Sequence, residues 1–185
     1  ADLVDADLRE MGLTLGQRKR VKAALEKAGT GAWPAPELQP ERRQLTVLFC
    51  DLVGSTALAA VLDPEDLRDL MAAYHHTCAT IMRQHGGHVA YLQGDGLMVY
   101  FGYPFAREDD PERAIRAALE TSKAVAGLDT PAPEPLRVRI GMATGLVVVG
   151  DLADSGEARE EMVVGETPNL ASRLTDLAAP GQVIV

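Results

Sequence analysis

Leu45 to Cys50 is an apolar run of strand length that ends at Asp51, and the stretch Asp51-Leu-Val-Gly-Ser-Thr56 reads as a turn. Asp63-Pro64-Glu65 signals a helix start, with aspartate at the N-cap and proline at the first helical position. Leu67, Leu70, Met71, Tyr74, Cys78, Ile81, Met82 and His85 then follow helical spacing until Gly86-Gly87. Two short strands, Val89–Gln93 and Leu97–Phe101, flank Gly94-Asp95-Gly96, a tight hairpin turn. Asp110-Pro111-Glu112 opens a second long helix that runs to about Ala126. Pro131, Pro133 and Pro135 mark a loop, and Leu136, Val138, Ile140 and Met142 alternate with Arg137 and Arg139 in a period of two. Thr144-Gly145 predicts a turn into a further strand, Leu146–Val149. Past a polar stretch, Asp151 to Glu160, and Met162-Val163-Val164, the pair Thr167-Pro168 is expected to cap a last helix whose apolar stripe is Leu170, Leu174 and Leu177. Gln182–Val185 begins another strand.

This order of elements predicts an α+β fold with a ferredoxin-like split βαβ core, an antiparallel-rich sheet and helices packed on it. Upstream, residues 1–29 read as helical, with Val21, Leu25 and Ala28 at helical spacing. The run "DLREMGLTLGQRKRVKAAL" resembles the C-terminal part of a SAM domain; the plainer reading is an amphipathic lead-in. Residues 30–41, with Gly31, Pro34, Pro36 and Pro40, form a linker, so the main domain is expected over residues 42–185.

Composition narrows the function. A chain of 185 residues has room for one domain with a proper core plus flanking sequence. Aromatics are only 4%, so Leu, Val, Ile and Ala must fill that core. The net charge of −9 argues against a nucleic-acid partner, and Arg18-Lys19-Arg20 reads as a solvated helix face. Cys50 and Cys78, in apolar surroundings, read as buried free thiols of a cytoplasmic protein. No apolar run reaches the ~18 residues of a membrane span. The chain starts at Ala1 with no signal peptide, and is expected to be a fragment of something longer.

Four groups of residues carry chemistry. Asp51 stands at a strand end, with the amides of Gly54, Ser55 and Thr56 behind it; that suits a metal–phosphate site, and equally a helix cap. Asp95 sits in the hairpin, where a turn role is the plainer reading. Together, on a strand paired beside the hairpin, the two carboxylates are expected to meet near one triphosphate, with two divalent ions between them. Asn169 and Arg173 lie four apart on one helix face, placed to grip a ribose and a phosphate or merely to be solvated. Arg139, with Arg137 beside it, is a sheet-mounted arginine that reaches either a phosphate or a surface carboxylate.

The blocks "LTVLFCDLVGST", "QGDGLMVYFG", "RVRIGMATG" and "VVGETPNLASRL" occur in this order. Over roughly residues 42–185 the chain resembles the catalytic domain of class III adenylate and guanylate cyclases, in a bacterial multidomain subtype that places it beside regulatory domains. The resemblance implies metal ligation of two divalent cations, Mg2+ or Mn2+, by Asp51, Asp95 and the backbone carbonyl of Leu52. It implies phosphate binding by Val53, Gly54, Ser55 and Thr56, with Arg139 on the phosphate tail. Asn169 would orient the ribose and Arg173 would stabilise charge on the α-phosphate. The implied assembly is a head-to-tail homodimer, with Asp51 and Asp95 from one subunit and Asn169 and Arg173 from the other.

Two positions depart from that pattern. The base-reading lysine of adenylate cyclases is Tyr91 here, and the second base-reading position is Met162. Guanylate cyclases do not match there either. A tyrosine hydroxyl offers a base a hydrogen bond, whereas methionine offers packing only. The domain also stops short of further strands and a basic residue that resembling proteins carry. The expected activity is conversion of ATP to 3′,5′-cyclic AMP and pyrophosphate, with guanylate cyclase or a catalytically weak nucleotide-binding module as alternatives. A diguanylate cyclase is excluded because Gly94-Asp95-Gly96 does not supply its Gly-Gly-Asp/Glu-Glu-Phe turn.

Overall fold

In a computed structural model of the chain, residues 41–151 and 161–185 are described. The described residues belong to one compact unit. The SAM-like segment 1–29, linker residues 30–40 and most of the polar stretch after Asp151 lie outside the described residues.

Strand β1 (Glu41–Leu52) is the spine. It pairs antiparallel with β3 (Gly96–Phe101) on one side and β4 (Val138–Asp151) on the other. The sheet order is β2 (His88–Gln93), β3, β1, β4, β5 (Glu161–Val164), and β6 (Val183–Ile184) pairs parallel with β4. The strands are joined by helices α1 (Ser55–Val61), α2 (Pro64–Gln84), α3 (Asp110–Ala126) and α4 (Glu166–Leu177). This is the α+β, antiparallel-rich arrangement that the order of elements predicts.

The alternation of β1 gives the sheet two faces. Leu48, Cys50 and Leu52 join Leu70, Tyr74, Cys78 and Met82 of α2 and Ala114, Ala117 and Val125 of α3 in one core. Leu45 and Val47, with Phe49 packed beside them, join Ala171 of α4 in a second and smaller core. Among the described residues, one face is thus roofed by two long helices and the other by α4. Cys50 and Cys78 are both buried and free, as their apolar context predicts. The neighbouring Cys78 and burial together push the Cys50 thiol well above its ordinary range, which disfavours the reactive thiolate. Native protein is therefore expected to leave both thiols unmodified by a disulfide-exchange reagent until it unfolds. A fast reaction of either thiol without denaturant would contradict this packing.

Several local expectations are corrected. The predicted strands 136–142 and 146–149 are one continuous strand, β4, and Thr144-Gly145 is not a turn. Gly145 is small because α4 lies on it: an added Cβ would sit 2.5 Å from Thr167 Oγ1. Ser55 and Thr56 belong to the first turn of α1, which the turn reading of 51–56 omits. At Asp63 and at the start of α4 no side chain caps the helix; the N-cap position of α4 is Gly165, and Thr167 is buried against the sheet. The buried face of α4 is Thr167, Ala171 and Thr175, while Leu170 and Leu177 are 50% and 74% exposed. Close approach to Gly141 and Gly145 selects small side chains on that face and turns the leucines outward.

Candidate functional site

The end of β1 and the β2–β3 turn build the centre of the site. Asp51 pairs across the sheet with Gly96 on one side and with Arg139 on the other. Asp95, one residue before Gly96, therefore lies beside Asp51, as the paired-strand reading expects. The turn is closed by Gln93 and Gly96, leaving Gly94 and Asp95 as its two central residues. Gly94 takes the positive φ of 62° and no non-glycine residue has one among the described residues. Glycine thus comes first in the turn, the Gly-X pattern rather than Asp-Gly. The backbone demand falls on Gly94, so the turn itself does not require an aspartate at 95.

Odd-numbered β1 residues face α4, so Asp51 lies on the thinly roofed face, with Arg139 opposite it. The Arg139 guanidinium donates to Asp51 Oδ2 at 2.5 Å. Arg139 Nε is buried with no hydrogen-bond partner. Burial raises the Asp51 carboxyl above its usual range, Arg139 opposes the rise, and the nearby Asp95 carboxylate adds to it. Arg137 lies just outside β4 and pairs with Glu134 at the surface, so for that residue the salt-bridge reading holds.

The turn that carries Asp95 is held from α2. The Tyr74 hydroxyl donates to the Asp95 carbonyl at 3.0 Å. His75 Nε2 lies 2.8 Å from the Gly94 carbonyl, which only accepts, so this nitrogen carries the proton. Burial, and then the neighbouring Cys50, push the Tyr74 phenol upward, which keeps it a donor. Ser55 Oγ donates to the Asp95 carboxylate. The sequence gives no local signal for Tyr74 and His75 as site residues; helical periodicity reads Tyr74 as core and assigns His75 nothing.

The segment Val53–Thr56 leads away from Asp51. Val53 N donates to the Arg137 carbonyl at 2.8 Å, and Gly54, with φ of 76°, starts α1. Open space surrounds Gly54, so its conformation, not crowding, calls for glycine. The first amides of α1 have no acceptor within their helix. Tyr91 pairs with Met98, which pairs with Phe49, so Tyr91 faces the same side as Asp51. A register shift between Val89 and Tyr91 places it there. Met162 pairs with Gly150 in the β4–β5 ladder.

Asn169 and Arg173 stand on the solvent side of α4 rather than on the face it turns to the sheet. Thr167 lies over Gly145 and Thr175 over Gly141, so α4 runs back along β4. Gly141 is two residues from Arg139 and Gly145 six, so along β4 the Asn169 end of α4 is farther from Asp51 than the Arg173 end. Asn169 and Arg173 are exposed, on the side of α4 opposite its buried Ala171 and Thr175.

Two hard oxygen ligands converge, the Asp95 carboxylate raising the cost of charge on Asp51, with one guanidinium beside them. Among the described residues no set of three or more His, Cys, Asp or Glu side chains surrounds a common point. Two carboxylates, with the remaining positions left to water and phosphate, suit Mg2+ or Mn2+ better than zinc. The residues present fit such an ion. No helix among the described residues is long and apolar enough to cross a membrane.

Comparison with known proteins agrees with the four sequence blocks. The family described as "Adenylate and Guanylate cyclase catalytic domain" matches residues 38–185. An adenylate cyclase of Mycobacterium tuberculosis (strain ATCC 25618 / H37Rv) is 31% identical over 154 residues, covering 80% of this chain and 34% of the relative. The chain thus spans about a third of that protein's length. The crystal structure of the guanylyl cyclase Cya2 superposes with a TM-score of 0.70 at 33% identity, covering 78% of this chain and 76% of that one. The adenylyl cyclase CyaB from P. aeruginosa gives 0.70 at 30% identity, covering 80% and 79%. With its sheet, its four ordered blocks and a family match over most of its length, the chain belongs to the class III adenylate and guanylate cyclase catalytic domains.

Proposed function

We propose that this domain cyclises ATP to 3′,5′-cyclic AMP and pyrophosphate, in a head-to-tail homodimer whose two sites each draw on both subunits. One observation carries the reading. The residues split into two sets: Asp51, Asp95 and Arg139 cluster at one end of β1, and Asn169 and Arg173 stand on the outer side of α4. A second copy is the economical way to join them, and the exposed Leu170 and Leu177 flanking Asn169 and Arg173 give it apolar surface to cover.

In this reading Asp51, Asp95 and the Leu52 carbonyl hold Mg2+ or Mn2+ ions. When bound, these supply Lewis-acid polarisation of the phosphate and ease loss of the proton from the ribose hydroxyl. Gly54, Ser55 and Thr56 cradle phosphates with backbone amides, and Val53, whose own amide is held by the Arg137 carbonyl, fixes the start of that loop. Arg139, with one N–H already lacking an acceptor, turns from Asp51 to the phosphate tail. Asn169 holds the ribose so that its 3′-oxygen lies in line with the α-phosphorus. The new 3′-oxygen–phosphorus bond forms as the bond to pyrophosphate breaks, and Arg173 stabilises the charge that gathers on the α-phosphate. The contributions are position and electrostatics.

The base is the finer question. ATP is favoured by the adenylate cyclases of M. tuberculosis and P. aeruginosa among the relatives. Cya2, a guanylyl cyclase of similar identity, supports GTP as the alternative. Tyr91 and Met162 hold the base-reading positions and follow neither habit. Assay of cyclic product with Mn2+ and either nucleotide separates the two, and product from neither favours a nucleotide-binding module.

The shared site has its own test. Asp51→Ala and Arg173→Ala proteins should each be inactive, yet their mixture should recover about a quarter of wild-type activity. Half of the dimers are then mixed, and each mixed dimer has one intact site of two. No recovery on mixing, with dimers shown to exchange, would refute the two-subunit site.

A further inference from the structure

From the bonds between α2 and the β2–β3 turn we infer that Tyr74 and His75 are positioning residues for Asp95, setting the direction of its carboxylate toward Asp51. The inference rests on the reading of Asp95 as a metal ligand and extends the site to α2, a helix outside all four sequence blocks that carry the family resemblance.

Glycine gives this turn backbone freedom. Asp95 stands between two glycines, and an added Cβ on Gly94 would meet nothing within 4 Å. Packing therefore does not fix the turn. A two-residue hairpin turn ordinarily directs its carbonyls to solvent. Here both are captured by consecutive residues of one helix: Tyr74 Oη on the Asp95 carbonyl at 3.0 Å and His75 Nε2 on the Gly94 carbonyl at 2.8 Å.

That helix is a firm support. Leu70, Tyr74, Cys78 and Met82 recur along its buried face, so α2 is anchored above and below the two donors. The Tyr74 hydroxyl also lies 3.7 Å from Cys50 Sγ, on the residue before Asp51. One buried hydroxyl thus touches the backbone of Asp95 and the neighbour of Asp51. Ser55 adds a bond to the Asp95 carboxylate itself. Outer groups of this kind orient ligands, and their loss weakens metal binding about 10–100-fold in other sites.

The test compares four variants of the full chain: Tyr74→Phe, His75→Ala, His75→Gln and Asp95→Asn. The readouts are Mn2+ affinity by electron paramagnetic resonance, the melting temperature, and kcat and KM separately. Tyr74→Phe keeps the ring in the core and loses only the hydroxyl. It and His75→Ala should each weaken Mn2+ binding about tenfold and lower kcat, with KM for nucleotide little changed. His75→Gln, whose amide still donates, should recover most of the loss. Mn2+ affinity within twofold of wild type in both Tyr74→Phe and His75→Ala would overturn the inference. His75 is only partly buried, so its variants decide the matter even if Tyr74→Phe does not fold. Asp95→Asn separates the two levels. If it binds Mn2+ as wild type does, the metal reading falls and this inference with it; if it loses Mn2+ while the α2 variants do not, the positioning role alone falls.

Discussion

Asp51→Ala should abolish cyclic nucleotide formation, with kcat lowered by about 10^3-fold or more. Charge stabilisation of a phosphoryl transfer by a bound divalent cation is worth several kcal/mol, and each ~1.4 kcal/mol is tenfold in rate. Among the described residues, Asp51 is one of two carboxylates that meet at the proposed site. Its placement comes from pairing across three strands rather than from a flexible loop: Arg139 on one side and Gly96 on the other hold its Cα in register.

The effect of that substitution on stability should be small by comparison. Removing the carboxylate relieves repulsion from Asp95 and the cost of partial burial, both of which raise the Asp51 carboxyl. Against this, Arg139 loses its ion-pair partner while its Nε already lacks one. The opposing changes should leave the net within about 1 kcal/mol. A melting temperature near wild type with no product is the expected pair of results. Retention of more than a tenth of wild-type turnover by well-folded Asp51→Ala would sink the metal-ligand reading.

Gly141→Ala should have the second largest effect, and on stability first. A Cβ at 141 would lie 2.2 Å from Thr175 N and 2.5 Å from the Ala171 carbonyl. Both are backbone atoms of α4, so no rotamer change relieves the clash; the helix must move. Overpacking of this kind costs about 3 kcal/mol, which for a domain of this size lowers the melting temperature by roughly 10 °C. Because α4 carries Asn169 and Arg173, a shift of about an ångström should also cost roughly 10^2-fold in kcat.

Gly145→Ala provides the contrast. Its Cβ would meet Thr167 Oγ1 at 2.5 Å, a side-chain atom. The loss should be smaller, and Thr167→Ala in the same chain should recover part of it. Differential scanning calorimetry and steady-state kinetics check both variants. A Gly141→Ala protein melting within 2 °C of wild type would show that α4 is not pressed on the sheet as described.

Much of the fold follows from signals that neighbours in sequence create. Leu70, Tyr74, Cys78 and Met82 recur at helical spacing, and all four are buried on one side of α2. Val138, Ile140 and Met142 alternate, and they line one core. The Gly-rich hairpin needed only turn chemistry. Side-chain period and backbone freedom are properties of short stretches, so these elements were legible, as were the ordered blocks that carry the family.

What the sequence alone left undecided depends on neighbours in space. Gly145 looks like a turn glycine because nothing in the sequence near it tells of α4, which lies on it from more than 20 residues away. Leu170 and Leu177 look like core by period, but Gly141 and Gly145 admit only small residues beneath α4 and turn the leucines outward. Arg139 meets Asp51 across 88 residues, and Tyr74 reaches Asp95 across 21. Sequence therefore determined most of the elements that form and the ordered blocks that place the chain in its family. Only the tertiary structure decided how they face one another, because close approach and long-range hydrogen bonds are set when separate elements pack.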